Sequence, residues 1–206
     1  MNLEYINPSE IEKRSFSIIT EELKTMGISP EGDTAPVIKR CIHTTADFDY
    51  AESLKFSPGA VSILKNLLKE GVCIVTDTNM ALAGINKTAL GKLGCRAMCF
   101  MADEAVAEEA GRRNVTRATV SMERAMELDE PVVFVIGNAP TALITLHEHM
   151  QQGYRPAFVI GVPVGFVNVV AAKELILRSD VPYIINEGRK GGSNVAAAIL
   201  NAILYS

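Results

Sequence analysis

The sequence predicts an α/β fold: a single domain over residues 1–206 with a mostly parallel five-stranded sheet and helices on both of its faces. Three observations predict it. Short apolar runs recur along the chain and are separated by stretches of helix length. The runs are rich in Val and Ile, as in parallel strands that are covered on both sides. No repeat, low-complexity tract or linker divides the 206 residues, which is a usual length for one domain.

Helices precede the sheet. Pro8 favours a helix start, and Gly27 follows its predicted end at about residue 26. A loop rich in Pro, Gly and Asp leads to a second helix across residues 40–47. A third helix, Ala60–Lys69, follows a Ser-Pro pair.

Strands and helices alternate in the rest of the chain, which favours parallel strand pairing. The five predicted strands span residues 72–76, 96–100, 132–136, 157–162 and 183–185. The predicted helices span residues 81–93, 104–113, 117–127, 141–151, 169–177 and 194–204.

Composition and charge exclude several classes of partner. The net charge is -4, with 20 basic and 24 acidic residues and no basic cluster, so no nucleic acid partner is expected. No apolar run is long enough for a membrane span, and residues 1–5 lack the features of a secretory signal. The four cysteines form neither a disulfide framework nor a metal motif. We therefore expect a cytoplasmic protein without a metal site.

Short segments that join strand to helix follow four of the predicted strands, and three of these segments contain glycine. In a parallel sheet the ligand crevice lies beyond the carboxyl ends of the strands. The segments span residues 77–80, 137–141, 161–166 and 187–193. Each leads into a predicted helix, whose N-terminus favours anions. Together they predict a pocket for an anionic ligand, although any one of these glycines fits an ordinary tight turn as well.

His43 is the candidate acid–base residue. In a helix over residues 40–47, Arg40, His43 and Asp47 share one face. Asp47 would then accept a hydrogen bond from the imidazole, orient it and favour its charged form. That arrangement suits a proton donor near neutral pH. A polar stripe facing water on an amphipathic helix gives the same spacing.

Motifs of other enzyme classes are missing from the sequence. There is no Gly-x-Gly-x-x-Gly after the first predicted sheet strand, no phosphate-binding P-loop and no Gly-x-Ser-x-Gly. The residues alone therefore indicate an anion-binding α/β protein with one candidate acid–base histidine. A nucleotide- or sugar-phosphate-dependent enzyme of this architecture stays an alternative.

Six segments, in order and over nearly the whole chain, resemble the precorrin-8X methylmutase family. They are RSF at residues 14–16, RCIHTTAD at 40–47, TDTNM at 76–80, VIGNAPTAL at 135–143, VIGVPVGFV at 159–167 and GRKGGS at 188–193. The resemblance implies an isomerase of cobalamin biosynthesis, in which a methyl group migrates between adjacent carbons on ring C of precorrin-8X or cobalt-precorrin-8. The product would be hydrogenobyrinate or cobyrinate.

The same resemblance implies an α/β homodimer that binds the macrocycle near the subunit interface. No cofactor is implied, because any cobalt is carried by the substrate. A corrinoid-binding carrier of the same ancestry, without turnover, is a second alternative.

The resemblance assigns the family's catalytic histidine to His43, as proton donor. The acetate and propionate groups of an anionic tetrapyrrole would bind cations, hydroxyls and backbone amides. The resemblance also places a substrate-binding Thr-Arg pair at residues 116 and 117. The substrate-binding residues that we predict are Arg14, Ser15, Ser17, Arg40, Thr78, Met80, Thr116, Arg117, Gly137, Asn138, Ala139, Gly161, Gly165, Arg189, Lys190 and Gly191.

Overall fold

Six strands form one sheet in this structure, a computed structural model that describes residues 5–206. The strands are β1 (Leu54–Phe56), β2 (Cys73–Thr76), β3 (Arg96–Met98), β4 (Val132–Ile136), β5 (Phe158–Gly161) and β6 (Tyr183–Asn186). The prediction that no secretory signal is present rests mainly on residues 1–4, which lie outside the described residues.

The helices are assigned over the same described range. They are α1 (Ile11–Thr25), α2 (Ala35–Thr45), α3 (Tyr50–Ser53), α4 (Ala60–Lys69), α5 (Asn79–Gly84), α6 (Lys87–Lys92), α7 (Glu104–Arg113), α8 (Arg117–Met126), α9 (Pro140–Gln151), α10 (Val169–Leu177) and α11 (Ser193–Leu204). None of the helices within residues 5–206 has the length and apolar character that crossing a membrane requires.

The strand order is β1-β6-β5-β4-β2-β3, and every neighbouring pair except β1 with β6 is parallel. Along the chain, β3 is added on one side of β2 and β4 on the other. The point between β2 and β4 is therefore the topological switch point, where ligands bind in open parallel sheets. The α/β class and the mostly parallel sheet are confirmed.

The predicted number of five strands is wrong by one. The additional strand β1 has three residues and pairs antiparallel with β6, Leu54 opposite Asn186. It lies at the sheet edge directly after the single turn of α3. A segment this short shows no residue periodicity by which the sequence could reveal it.

The helix predicted over residues 81–93 is also divided. It forms α5 and α6, because Ile85 between them has extended backbone angles. The Asn86 side chain then accepts a hydrogen bond from the Ala89 N–H and begins α6. Asn at this position is a favourable N-cap, which explains the new helix start.

The sheet is buried between two layers of helices. Side chains of successive β4 residues alternate between the layers: Val133 and Val135 belong to the core under α1, α2, α4 and α11, and Phe134 and Ile136 to the core under α8, α9 and α10. α11 packs against both α2 and α5. This contact brings the second helix of the chain, which carries His43, to the helix that begins at the carboxyl edge of the sheet.

Candidate active site

The loops at the carboxyl edge of the sheet meet at the start of α11, as predicted. The Thr78 hydroxyl oxygen lies 2.8 Å from that of Ser193. A Cβ atom on Gly137 would lie only 2.6 Å from the Ser193 Cα atom, and one on Gly191 only 2.0 Å from the Val162 carbonyl oxygen. Glycine is therefore required where the loops after β4, β5 and β6 approach one another.

A buried carboxylate fills the turn at the switch point. Asp77 is 0 % exposed, and its two oxygens accept hydrogen bonds from the backbone N–H groups of Gly137 at 2.9 Å, Asn138 at 2.7 Å and Ala139 at 2.7 Å. Burial raises the pKa of Asp77, and the three backbone hydrogen bonds oppose that rise. The prediction that the amides around Gly137 bind substrate is therefore wrong, because they bind Asp77.

Two further predicted glycines have structural roles. Gly161 is paired within the sheet to Ile136 and Ile185, and a Cβ atom on it would lie 2.4 Å from the Ile185 side chain. The Gly165 N–H donates to the Arg189 carbonyl oxygen at 3.2 Å. The amide of Gly165 therefore joins the loops after β5 and β6, and both glycines shape the edge.

His43 lies in an open groove between α2 and α11. The groove has a volume of about 320 Å³ and is lined by Arg40, His43, Thr44, Gly84, Asn194, Ala197, Ala198, Asn201 and Tyr205. Asn194 directly follows Ser193, so the groove begins where the carboxyl-edge loops meet. The imidazole Nδ1 lies 2.8 Å from the Ser15 hydroxyl oxygen on α1. The ring also stacks on Phe16, with 5.3 Å between ring centroids and an interplanar angle of 20°.

The predicted pairing of Asp47 with His43 is wrong. α2 ends at Thr45, and Ala46 has left-handed backbone angles, φ 54 and ψ 27. The helical spacing that would bring the two side chains together is therefore broken after Thr45. An Asp47 carboxylate oxygen lies instead 2.6 Å from the Lys190 ammonium nitrogen.

Lys190 is held by two carboxylates. Its ammonium nitrogen lies within 2.6 Å of Asp47 and 2.5 Å of Asp49. These contacts raise the pKa of Lys190, and the hydrogen bond from Lys190 lowers that of Asp47. The prediction of Lys190 as a cation for substrate carboxylates does not match this pairing. Its side chain ties the loop after β6 (residues 187–192, the glycine-rich loop) to the segment after α2.

The predicted arginines lie in different surroundings. The Arg40 guanidinium lies 2.5 Å from a Glu12 carboxylate oxygen, and also above the Phe16 and Tyr205 rings. Arg189 is exposed, with its guanidinium carbon 5.6 Å from the Phe166 ring centroid. Arg117 is exposed at the start of α8, and Arg14 lies on α1 beside Ser15.

The hydroxyl groups of Ser15, Ser17 and Thr116 all have hydrogen-bond partners within the protein. Ser15 contacts His43, whereas the Ser17 hydroxyl donates to the Lys13 carbonyl oxygen of its own helix. Thr116 accepts from the Thr119 N–H at the start of α8 and is bonded to the Thr141 hydroxyl at 3.1 Å. Thr116 therefore joins the starts of α8 and α9.

Of the nine residues that line the groove, sequence reasoning predicted only Arg40 and His43, and it missed the three polar side chains at α11. Asn194, Asn201 and Tyr205 lie on or just after α11. The Asn201 amide group donates to the Gly84 carbonyl oxygen and accepts from the Asn86 N–H, which fixes α5 against α11. Two asparagines on one face of an otherwise apolar helix were a usable signal, because polar side chains on such a face need partners.

The buried side chain of Lys173 holds the glycine-rich loop through two hydrogen bonds. It is 1 % exposed, and its amine nitrogen lies 2.8 Å from the carbonyl oxygens of both Gly188 and Lys190. Burial lowers the pKa of Lys173 to about 8. A neutral amine keeps two N–H groups, so both hydrogen bonds persist when the proton is lost.

The burial of Lys173 predicts a pH-dependent stability. Between about pH 8 and the usual 10.5 of an exposed lysine, the unfolded chain binds the proton more tightly than the folded one. The free energy of unfolding should therefore rise with pH across this window, relative to the Lys173→Met variant. Urea unfolding of both proteins at pH 7.5, 9 and 10.5, values chosen to bracket the window, measures the difference. A difference that falls with pH would contradict the prediction.

Metal ligands are not clustered in the part of the chain that the structure describes. No group of three or more His, Cys, Asp and Glu side chains comes together there in a way that could hold a metal ion. The expectation that the protein needs no cofactor of its own stays a prediction.

Comparison with known proteins identifies the family. The family model "CbiC: Precorrin-8X methylmutase" matches residues 10–206. The cobalt-precorrin-8 methylmutase of Leptospira interrogans is 45% identical, with 94% of this chain and 91% of that protein covered. That of Salmonella typhimurium is 43% identical, with 96% and 95% covered.

A solved structure and a further relative agree with this assignment. The crystal structure of precorrin-8X methyl mutase from Thermus thermophilus superposes with a TM-score of 0.84 at 37% identity, covering 95% of this chain and 96% of that one. The precorrin-8X methylmutase of Pseudomonas aeruginosa is 36% identical, with 98% and 97% covered. The chain belongs to the precorrin-8X methylmutase family of isomerases.

Proposed function

We propose that this protein is a methylmutase of cobalamin biosynthesis that converts cobalt-precorrin-8 to cobyrinate, with His43 as the proton donor. The observation that carries the proposal is the position of the His43 imidazole. The ring faces an open groove that begins at the carboxyl edge of the sheet, and Ser15 and Phe16 fix it from the other side. Among the hydrogen bonds described for residues 5–206, none engages its Nε2 atom.

The reaction explains why one acid–base group is sufficient. The methyl group moves between adjacent carbons of ring C within a conjugated system, so no protein nucleophile is needed. The protein has to bind the macrocycle and favour the rearranged tautomer. A proton delivered to the macrocycle from Nε2 of His43 performs that second task, because it stabilises the rearranged electron distribution as it forms.

The names of the relatives support the cobalt-bearing substrate. Three relatives with 42% to 45% identity are cobalt-precorrin-8 methylmutases. Two relatives named precorrin-8X methylmutase are 36% and 33% identical. We therefore propose cobalt-precorrin-8 as the substrate and precorrin-8X as the slower alternative.

A second copy of the chain completes the proposed site. A tetrapyrrole is much larger than the groove of about 320 Å³ beside His43, and a single chain leaves this groove open to water. Met80, Phe166 and Val167 at the same carboxyl edge are 71%, 83% and 78% exposed. Exposed apolar side chains of this size favour a covering partner. We propose a homodimer with the macrocycle near the interface.

The exposed cations suit an anionic macrocycle. Arg117 is exposed at the start of α8, and Arg189 is exposed in the glycine-rich loop. We propose that both bind peripheral carboxylates of the substrate.

All four cysteines are free thiols, which supports the proposed location in the reducing cytoplasm.

Asp77 argues against the phosphate-dependent alternative. Parallel sheets of related strand order bind phosphate groups through backbone N–H groups at the switch point. Here the carboxylate of Asp77 already accepts hydrogen bonds from three such groups. A phosphate would have to displace this buried carboxylate.

The proposal predicts a spectral change on mixing the protein with its substrate. Stoichiometric protein should convert cobalt-precorrin-8 to cobyrinate, with a shift of the visible absorbance because the conjugation changes. Precorrin-8X, mixed in parallel, should react more slowly. Substrate and product have the same mass, so they are separated by chromatography and identified by comparison with authentic standards of each pigment. Tight binding of both pigments without conversion would establish the carrier alternative and overturn the proposal.

A further inference from the structure

We infer that Ser15 is a positioning residue that accepts a hydrogen bond from the Nδ1–H of His43, so that the ring exchanges its proton with the macrocycle at Nε2. This inference rests on the proposed role of His43 as proton donor. It assigns to Ser15 a contact with the imidazole in place of the substrate contact predicted from the sequence.

The geometry fixes the ring through two neighbouring residues of α1. The Ser15 hydroxyl oxygen lies 2.8 Å from Nδ1, a normal hydrogen-bond distance. Phe16 lies against the ring face with an interplanar angle of 20°. A hydrogen bond in the ring plane and a stacked ring on its face together restrict both rotations of the imidazole. Among the hydrogen bonds described for residues 5–206 none engages Nε2, and His43 lines the groove.

The two helices that carry this pair are joined by a third contact. Arg40, one turn before His43 on α2, pairs with Glu12 on α1 at 2.5 Å. Its guanidinium carbon also lies 4.8 Å from the Phe16 ring centroid. Because Arg40 holds both Glu12 and Phe16, the relative position of α1 and α2 is fixed on either side of Ser15. Arg40 therefore supports the same arrangement, which explains its partial burial at 20% side-chain exposure.

The proton balance determines which atom donates. A charged imidazole carries a proton on each nitrogen. When Nε2 gives its proton to the macrocycle, the neutral ring must retain the proton on Nδ1. Ser15 can accept from Nδ1–H in the charged state and in the neutral state. The same hydrogen bond therefore persists through the transfer, and the ring does not need to turn.

A serine suits a proton donor better than a carboxylate in this position. A carboxylate beside Nδ1 would stabilise the charged imidazole and oppose the release of its proton. A neutral hydroxyl orients the ring without adding a full negative charge. The charged residues around this pair are Arg40 on α2, its partner Glu12 on α1, and Arg14, which precedes Ser15 on α1. Asn194 and Asn201 on α11 contribute neutral amides to the groove, and Tyr205, just after α11, is its titratable group from that side.

The test uses three variants at one position in the full-length protein. Ser15→Ala should lower kcat by roughly 10- to 100-fold with little change in KM, because the ring loses its orientation but the substrate contacts persist. Ser15→Thr keeps the hydroxyl and should restore most of kcat. Ser15→Asp should move the pH dependence of kcat to higher pH. Thr25→Ala is the matched control, since Thr25 on the same helix bonds only the Glu21 carbonyl oxygen among the described contacts.

A nitrogen NMR measurement on the free protein separates this inference from the proposed function. With labelled histidine, the His43 signals should show the neutral ring protonated on Nδ1, and Ser15→Ala should move it toward a mixture of both tautomers. Unchanged ring signals together with an unchanged pH profile in Ser15→Ala would overturn the inference. Full turnover of His43→Ala would overturn the proposed function, whatever the ring signals of the Ser15 variants show.

Discussion

Replacing His43 with alanine should lower the turnover number by about 100- to 10,000-fold, the range typical for loss of one general acid, while the variant still binds the coloured macrocycle. Affinity is expected to depend on many carboxylate contacts, of which His43 supplies none. Its imidazole acts on the barrier, where the proton reaches the macrocycle. The loss should therefore appear in kcat, with KM nearly unchanged.

Single-turnover absorbance measurements on His43→Ala and the wild type test this expectation directly. The matched control is His149→Ala, because His149 lies on α9 with its Nδ1 atom 3.0 Å from the Thr145 carbonyl oxygen, away from the groove. The control should retain wild-type turnover. Near-normal conversion by His43→Ala, with the same product, would show that the imidazole is not the proton donor.

The buried strands were accessible from the sequence because burial on both faces leaves a continuous apolar run. Val132–Ile136 was predicted with its observed bounds, and Phe158–Gly161 within one residue at each end. These segments have no residue that faces water, so no alternation conceals them. The edge strand β1 has only three residues and an antiparallel partner, and therefore offered no comparable pattern.

The candidate site was predictable in its position but not in its contacts. Segments after parallel strands must meet at one edge, so the meeting of Thr78, Gly137 and Ser193 follows from topology. The partner of His43 depends on where α2 ends. Ala46 adopts a left-handed conformation there, which a sequence shows reliably only for glycine. Ser15, 28 positions away, became the partner through the packing of α1 on α2, which no local pattern encodes.

The same limit applies to the turn after β4 (residues 137–139). Its backbone N–H groups were predicted to bind carboxylates of the substrate, but the carboxylate that they bind is the side chain of Asp77. Asp77 follows β2 directly, and β2 neighbours β4 in the sheet. Sequence separation conceals this pairing, because strand neighbours across the switch point are not consecutive in the chain. The carboxylate that completes the turn is therefore recognised only once the strand order is known.

Asp77 is the residue at which we expect the largest loss of stability. Asp77→Ala should lower the free energy of unfolding by about 3–5 kcal/mol, as is typical when one partner of a buried charged interaction is removed. The three N–H groups of residues 137–139 would be left without their acceptor in the protein interior. Each unsatisfied donor costs roughly 1–3 kcal/mol, and partial entry of water reduces the sum.

Two further variants make the Asp77 prediction specific. Asp77→Asn retains one oxygen but presents an amide N–H₂ group to the remaining backbone donors, so we expect it to recover only about half of the loss. Asp180→Ala removes the same charge at an exposed site, 3.8 Å from Arg155, and should change the free energy by less than about 0.5 kcal/mol. Urea unfolding measures all three, and amide exchange at residues 137–139 should quicken in Asp77→Ala. A loss below about 1 kcal/mol with unchanged exchange would mean that the turn after β4 keeps its shape without the carboxylate. The close contact of Gly137 with the start of α11 would then be sufficient to hold this edge of the sheet.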